Sequence, residues 1–323
     1  MVYARDHTSV TRAGFFVRRK NYNTPARLCA NDIEKVGHIF SESEHINLAM
    51  KKAISVLLLI FTLISLAPTS LASAEEDARD LPILMYHSIS ETQKGIYFVT
   101  PAELRNDLRA LKARGYRSVT VAEVSAYLKG RGDLPEKPVL ITFDDGHYNN
   151  LYYALDILRE EGFTAVLHVI GCFTEYSSTH EKDHVEYSHL TWDEIGELSR
   201  SGVFEIGSHT YKMHAYKPRF GIKREKTESS DDYEKALTED LKRLERALIE
   251  KSGVIPVSFA YPFGAYDEES EKIVRALGYD VIFTCYERIN RLRKGDSRKA
   301  SRLWRINRNG TLSTARFLTD HGI

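Results

Sequence analysis

Two adjacent aspartates, Asp144 and Asp145, end the apolar run "PVLITF" and are followed by Gly146. Neighbouring carboxylates repel, and each raises the other's pKa unless a positive charge offsets them. A cation is the natural offset. Downstream, a second short run, "FEIG", leads into "SHTYKMH", which carries His209 and His214. A neutral imidazole is the commonest transition-metal ligand. Two histidines and one carboxylate give three protein ligands and leave positions open for water and substrate, as a catalytic metal site requires. Either histidine alone reads as a hydrogen-bonded surface or core residue. Beside a doubled aspartate, both at strand ends, the pair points to a divalent metal. Zinc suits this donor set, and cobalt, nickel or manganese can also bind it.

The elements that must position these groups alternate. "LPILMYHSI" (Leu81 to Ile89), "PVLITF", "TAVLHVIG", "FEIGSH", "PVSFAYPFG", "DVIFTCY" and "LWRINRNG" read as strands. Amphipathic helices separate most of them. One follows Thr100, where Pro101 and Glu103 complete an N-terminal signature. Others run through "YNNLYYALDILREEG", "TWDEIGELSRSG", "DDYEKALTEDLKRLERALIEKSG" and "DEESEKIVRALGY". Alternation of this kind predicts an α/β fold, a parallel sheet closing into a barrel, with functional groups at the carboxyl ends of the strands. Residues 173–186 and 217–230 read as loops.

The chain has 323 residues, with 45 Lys and Arg against 45 Asp and Glu. A balanced charge gives no reason to expect a nucleic-acid partner. Its three cysteines, Cys29, Cys172 and Cys285, form no CxxC pair, which argues against a thiolate metal site. Met50-Lys51-Lys52, the apolar stretch from Ala53 to Ala67 and the small residues Ala72-Ser73-Ala74 have the order of a secretory signal peptide. The apolar stretch is short of the roughly 20 residues of a membrane span. The expected organisation is therefore an extension or mis-set start over residues 1–49, a signal over 50–74 and one catalytic domain over 75–323. That domain is expected to be secreted or held at the cell envelope, with no stable membrane insertion after cleavage.

"TFDDG", "SHTYKMH" and "FAYPFG", in that order, resemble the motifs of the polysaccharide deacetylase family, the NodB homology domain of carbohydrate esterase family 4. "LMYHSI" adds to the likeness, which extends from about Pro82 to about Arg308. In motif style the chain is most similar to the poly-N-acetylglucosamine deacetylase branch. The resemblance implies a deformed (β/α) barrel and metal-dependent hydrolysis of N-acetyl groups on an acetylated polysaccharide. It implies that Asp145 binds the metal with His209 and His214, that Asp144 is the general base, and that a backbone N–H near Tyr261 meets the oxyanion. The histidines are five apart, a spacing that branch accepts. Where the family often carries an arginine, "FAYPFG" has Ala260 and Tyr261. Arg305 in "LWRINR" is the candidate replacement, the alternative being a surface or strand-pairing arginine. For the general acid, His321 lies in an apparent tail, and His87 is a second candidate near the barrel mouth or a merely hydrogen-bonded neighbour. Among aromatic residues able to face a sugar, Tyr261 and Phe263, flanking Pro262, are preferred over Tyr148, Tyr211 and Trp192. Two other functions compete: an O-acetyl esterase acting on xylan, and a weakly catalytic carbohydrate-binding protein on the same fold.

Overall fold

The computed structural model describes residues 78–180 and 184–323, with Ser55 alone outside those ranges. The signal expected over Met50 to Ala74, the extension before it and Cys29 lie outside the described residues. Among the described residues no helix is long and apolar enough to cross a membrane.

The strands are β1 (Ala78–Leu81), β2 (Ile83–Tyr86), β3 (Ser88–Ile89), β4 (Phe98–Val99), β5 (Arg117–Ser118), β6 (Pro138–Phe143), β7 (Ala165–Val169), β8 (Phe204–Ser208), β9 (Phe259–Ala260), β10 (Ile282–Phe283), β11 (Asn290–Arg293) and β12 (Ile306–Asn307). The helices are α1 (Pro101–Ala113), α2 (Val121–Leu128), α3 (Leu155–Glu161), α4 (Gly171–Thr179), α5 (Trp192–Arg200), α6 (Ser230–Ala247), α7 (Glu268–Ala276) and α8 (Thr314–Asp320). The main sheet runs β10-β9-β8-β7-β6-β2-β12, with parallel pairing throughout. It curls into a deformed half-barrel. One segment bridges the two edges of the curl: the Leu303 N–H donates to Ile282 O, the Thr284 N–H donates to Leu303 O, and Ile306 and Asn307 then pair with β2.

A parallel sheet must be covered on both faces, which is why β6 is apolar and buried along its whole length. Strand side chains alternate between the two faces. Ile83, Leu140, Val166 and Ala260 belong to one core. Leu84, Ile141, Ala165 and Leu167 belong to another, shared with Leu104, Leu108 and Leu111 of α1. At the start of α1, Thr100 accepts from the Glu103 N–H while the Glu103 carboxylate accepts from the Thr100 N–H, as the sequence predicts.

Several expectations need correction. The stretch taken as one strand from Leu81 to Ile89 is three short strands, and β1 leaves the main sheet to pair antiparallel with β11. Residues 173–179, expected as loop, belong to α4. Helix α2, which the sequence reading passed over, is capped by Thr120 and Glu123. The carboxyl end is not a tail. Helix α8 packs Phe317 and Leu318 into the core, and His321 caps it, its Nδ1–H donating to Phe317 O at 2.7 Å. A buried ion pair fastens this end: Arg308 meets Asp107 of α1 at 2.6 Å, and Asp107 also accepts from Tyr86 and Thr314. Cys172 and Cys285 are both free thiols.

Candidate active site

The carboxyl ends of β6 and β8 carry the aspartates and histidines into one cleft of about 770 Å³. Asp144, Asp145, His87, His209, His214 and Phe263 all line it.

Asp144 continues β6, its N–H donating to Tyr86 O. Its carboxylate is buried and held by three contacts from two side chains. Arg305 donates through both terminal nitrogens, Nη1 to Oδ1 and Nη2 to Oδ2, each at 2.7 Å. Nδ1 of His168 lies 3.1 Å from Oδ1. Burial alone would raise this carboxyl, but the Arg305 guanidinium and the imidazoles beside it hold it well below the usual carboxylate range. Arg305 is itself fully buried, and its Nε donates to Thr284 O. It stands just before β12, on the segment that bridges the sheet edges. A guanidinium thus meets Asp144 from 161 residues further along the chain.

His168 is the residue the sequence reading missed. It sits on β7, and since a carboxylate only accepts, its Nδ1 carries the proton toward Asp144 while Nε2 accepts from the Ser258 hydroxyl at 3.0 Å. The signal was a lone histidine inside the apolar run "AVLHVI". Room for this ring is made by Gly207 of β8, where an added Cβ would come 2.3 Å from His168 Cδ2 and 2.8 Å from Ser258 Oγ. Gly207→Ala is accordingly expected to push His168 off Asp144. We expect a lowered melting temperature, equivalent to about 1–3 kcal/mol, together with a lower kcat; an unchanged melting curve and kcat would contradict this role for the glycine.

Asp145 turns away from its neighbour because its backbone is left-handed, with φ of 73°, followed by Gly146 at 74°. Aspartate tolerates that region better than most residues. Its Oδ1 lies 3.4 Å from His214 Nε2 and 3.7 Å from His209 Nε2, and has no hydrogen-bond partner among the described residues. One donor atom from each of the three residues falls within 4.8 Å of the others. His209 Nδ1 donates to Ala260 O at 2.8 Å, so Nε2 keeps its lone pair facing Asp145. Burial holds His209 neutral, pushing its pKa down to about 3. A divalent cation therefore fits: an orphaned carboxylate oxygen faces two imidazole nitrogens, one of them fixed in the ligating tautomer. His147, also absent from the sequence reading, approaches the other oxygen, Oδ2, at 3.6 Å, and its ring packs against His189.

His189 is likewise held neutral by burial and by His147, at about 4. Both His189 and His209 lie below the ordinary value of 6.5. Below about pH 6.5 the unfolded chain binds protons that the folded chain refuses, so stability must fall as pH drops toward those values. In chelator, the urea midpoint at about pH 4.5 is expected to lie clearly below that at about pH 7. An equal or higher midpoint at the lower pH contradicts the assignment.

The remaining aromatic expectations divide. Tyr261 is fully buried, its ring stacked on Tyr266 and its N–H engaged by Phe283 O. Neither the ring nor the proposed oxyanion donor faces the cleft. Pro262 is buried with it. Phe263 does face the cleft, with φ of 58°, and its ring clusters with those of Tyr216 and Phe220, each of the three stacked on the other two. Trp192 and Tyr211 are core residues. His87 lines the cleft with its Nδ1 buried and unpartnered among the described residues. His321 faces Glu287 at 3.9 Å and is not among the residues lining the cleft.

Fold and site together define an α/β half-barrel whose polar residues gather at the carboxyl ends of its strands. Residues 131–282 match the family model described as polysaccharide deacetylase. The chain is 25% identical over 227 residues to the poly-beta-1,6-N-acetyl-D-glucosamine N-deacetylase of Escherichia coli (strain K12), covering 62% of this chain and 33% of that one. It is 30% identical over 212 residues to a Bacillus subtilis (strain 168) protein, YxkH, whose name places it among polysaccharide deacetylases; the match covers 65% of this chain and 66% of that one. Among solved structures, IcaB from Ammonifex degensii is similar with a TM-score of 0.60 and 27% identity, over 74% of this chain and 94% of that one. Residues 131–282 carry a polysaccharide deacetylase domain. It spans about a third of the length of the Escherichia coli relative.

Proposed function

We propose that this protein is a secreted, metal-dependent hydrolase that removes N-acetyl groups from a polymer containing N-acetylglucosamine, poly-beta-1,6-N-acetylglucosamine being the first candidate. One observation carries the reading. An orphaned Asp145 oxygen faces two imidazoles beside an ion-paired Asp144, all within one cleft. Asp145, His209 and His214 would hold the metal, most readily zinc. When bound, a divalent ion there lowers the pKa of water and polarises a carbonyl.

Asp144 is the group placed to take the proton from the attacking water. Arg305 keeps it ionised, and its bidentate grip fixes the plane of the carboxylate. His168 holds the same carboxylate from the other side. Phe263, Tyr216 and Phe220 form an aromatic wall suited to the C–H faces of sugar rings. His87 lies within the cleft as the candidate acid for the departing amine.

The test is acetate release from poly-N-acetylglucosamine, chitin oligomers, peptidoglycan and acetylated xylan, with added zinc and with chelator. Release from an N-acetylated polymer is expected, with at least 100-fold loss in chelator as the order of magnitude for a missing Lewis acid. Removing the metal should also lower the melting temperature, because the ion binds only the folded site. Release that chelation leaves intact would overturn the metal-dependent reading. Release from xylan alone would establish an esterase instead.

A further inference from the structure

Beyond the metal centre the cleft contains a second buried acid. Glu186 lies between α4 and α5 and lines the cleft with its neighbour Tyr187. The residue is only 7% exposed, yet its Oε2 has no hydrogen-bond partner among the described residues. Its backbone is fixed, the N–H donating to His184 Nδ1 at 3.2 Å. The four carboxylates lining the cleft are Asp144, Asp145, Glu186 and Glu287, and among the described residues no lysine or arginine lines it. Asp144 is neutralised by Arg305 beneath the floor, and Asp145 belongs to the donor set. Glu287 is exposed and lies 3.9 Å from His321. Among the described residues lining the cleft, Glu186 is the buried carboxylate that no side-chain cation answers.

A buried carboxylate is costly unless a donor, and preferably a charge, meets it. A carboxylate only accepts hydrogen bonds, so its partner must donate. No described residue offers a donor to Glu186 Oε2, which leaves that role to a ligand. Hydroxyls and acetamide N–H groups occur on every acetylated sugar, but neither brings charge. The proposed reaction makes a group that does. Water cleaves the amide C–N bond, acetate leaves, and the sugar nitrogen, now an amine, takes a proton to become an ammonium with three donors.

We infer that Glu186 forms a subsite for a protonated glucosamine unit, so that the cleft favours a glycan already partly deacetylated over a fully acetylated one. This rests on the deacetylase reading for the polymer, not for the contact. The acid would hold one free-amine sugar while a neighbouring acetylated sugar sits at Asp144. Deacetylation would then speed up as it proceeds along a chain.

The test is binding, which requires no turnover. The full zinc-loaded chain is titrated calorimetrically, at mildly acidic pH and low salt, with a glucosamine pentasaccharide and with its fully N-acetylated counterpart. The glucosamine oligomer should bind at least about tenfold tighter, and added salt should reduce the difference, as for a charge-assisted contact. Glu186→Gln should bring the two affinities to within about twofold of each other. Glu186→Asp, which keeps the charge, should retain a preference, and Glu287→Gln should leave it in place. Equal affinity in the unaltered protein would overturn the subsite. So would an equal loss for both oligomers in Glu186→Gln, which is the mark of a hydroxyl contact, or a preference that follows Glu287 instead. Absence of acetate release with this preference intact would overturn the deacetylase reading and spare the subsite.

Discussion

Asp144→Asn is expected to lower kcat for acetate release by about 10³-fold, within the range that removal of a general base produces. The amide matches the carboxylate in shape, so the cleft should keep its form, but it cannot take a proton at neutral pH. Asp144 is not part of the Asp145, His209 and His214 donor set. Metal content per chain should therefore remain that of the unaltered protein while turnover collapses. Activity within tenfold of the original would remove Asp144 from the role of base. Loss of metal together with activity would show that the division between the two aspartates has been drawn at the wrong residue.

Arg305→Met should have two separable effects. The first is on stability. Arg305 and Asp144 are both almost wholly inaccessible, and removing one partner of such a pair typically costs about 3–5 kcal/mol, because the other charge stays buried without an answer. The second is on pH dependence. In the unaltered protein Asp144 is depressed, so its contribution to stability is present above the ordinary carboxylate range and is lost only as pH falls through the lower folded value. Without Arg305, burial is left as the main influence and drives the carboxyl upward. The acid limb of the pH–rate profile should move to higher pH, and the urea midpoint should fall. Arg305→Lys keeps the charge but not the two-pronged geometry, and should recover stability better than rate. An acid limb that stays in place in Arg305→Met would show that the guanidinium does not set the state of Asp144.

The cluster of Asp145, His209 and His214 beside Asp144 was legible because its residue types are rarely found together by accident. Asp144 and Asp145 cannot sit side by side on a strand end without a reason, and His209 and His214 recur at the end of another strand. Arg305 was legible only as an alternative, since nothing local to "LWRINR" says that its side chain crosses 161 residues of sequence separation to reach Asp144. His168 was missed because its run reads as an ordinary buried strand; only the opening beside Gly207 shows where the ring goes. Tyr261 misled for a related reason. Its position after β9 is right, but Pro262 and the left-handed Phe263 turn the chain so that Phe263, two residues further, faces the cleft. Helix α8 was lost because its seven residues carry too few apolar positions to show periodicity. The buried Arg308–Asp107 pair holds that end in place, a contact with no local signature.

The stretch from Leu303 to Asn307 joins the two edges of the sheet and places Arg305 on Asp144 within the same few residues. Joining of the sheet edges and completion of the charge pair are therefore a single event. A chain cut short before this stretch keeps Asp145, His209 and His214 and still lacks both. The fold thereby ties shape to charge: the sheet cannot be joined at its edges without also setting the guanidinium that answers Asp144.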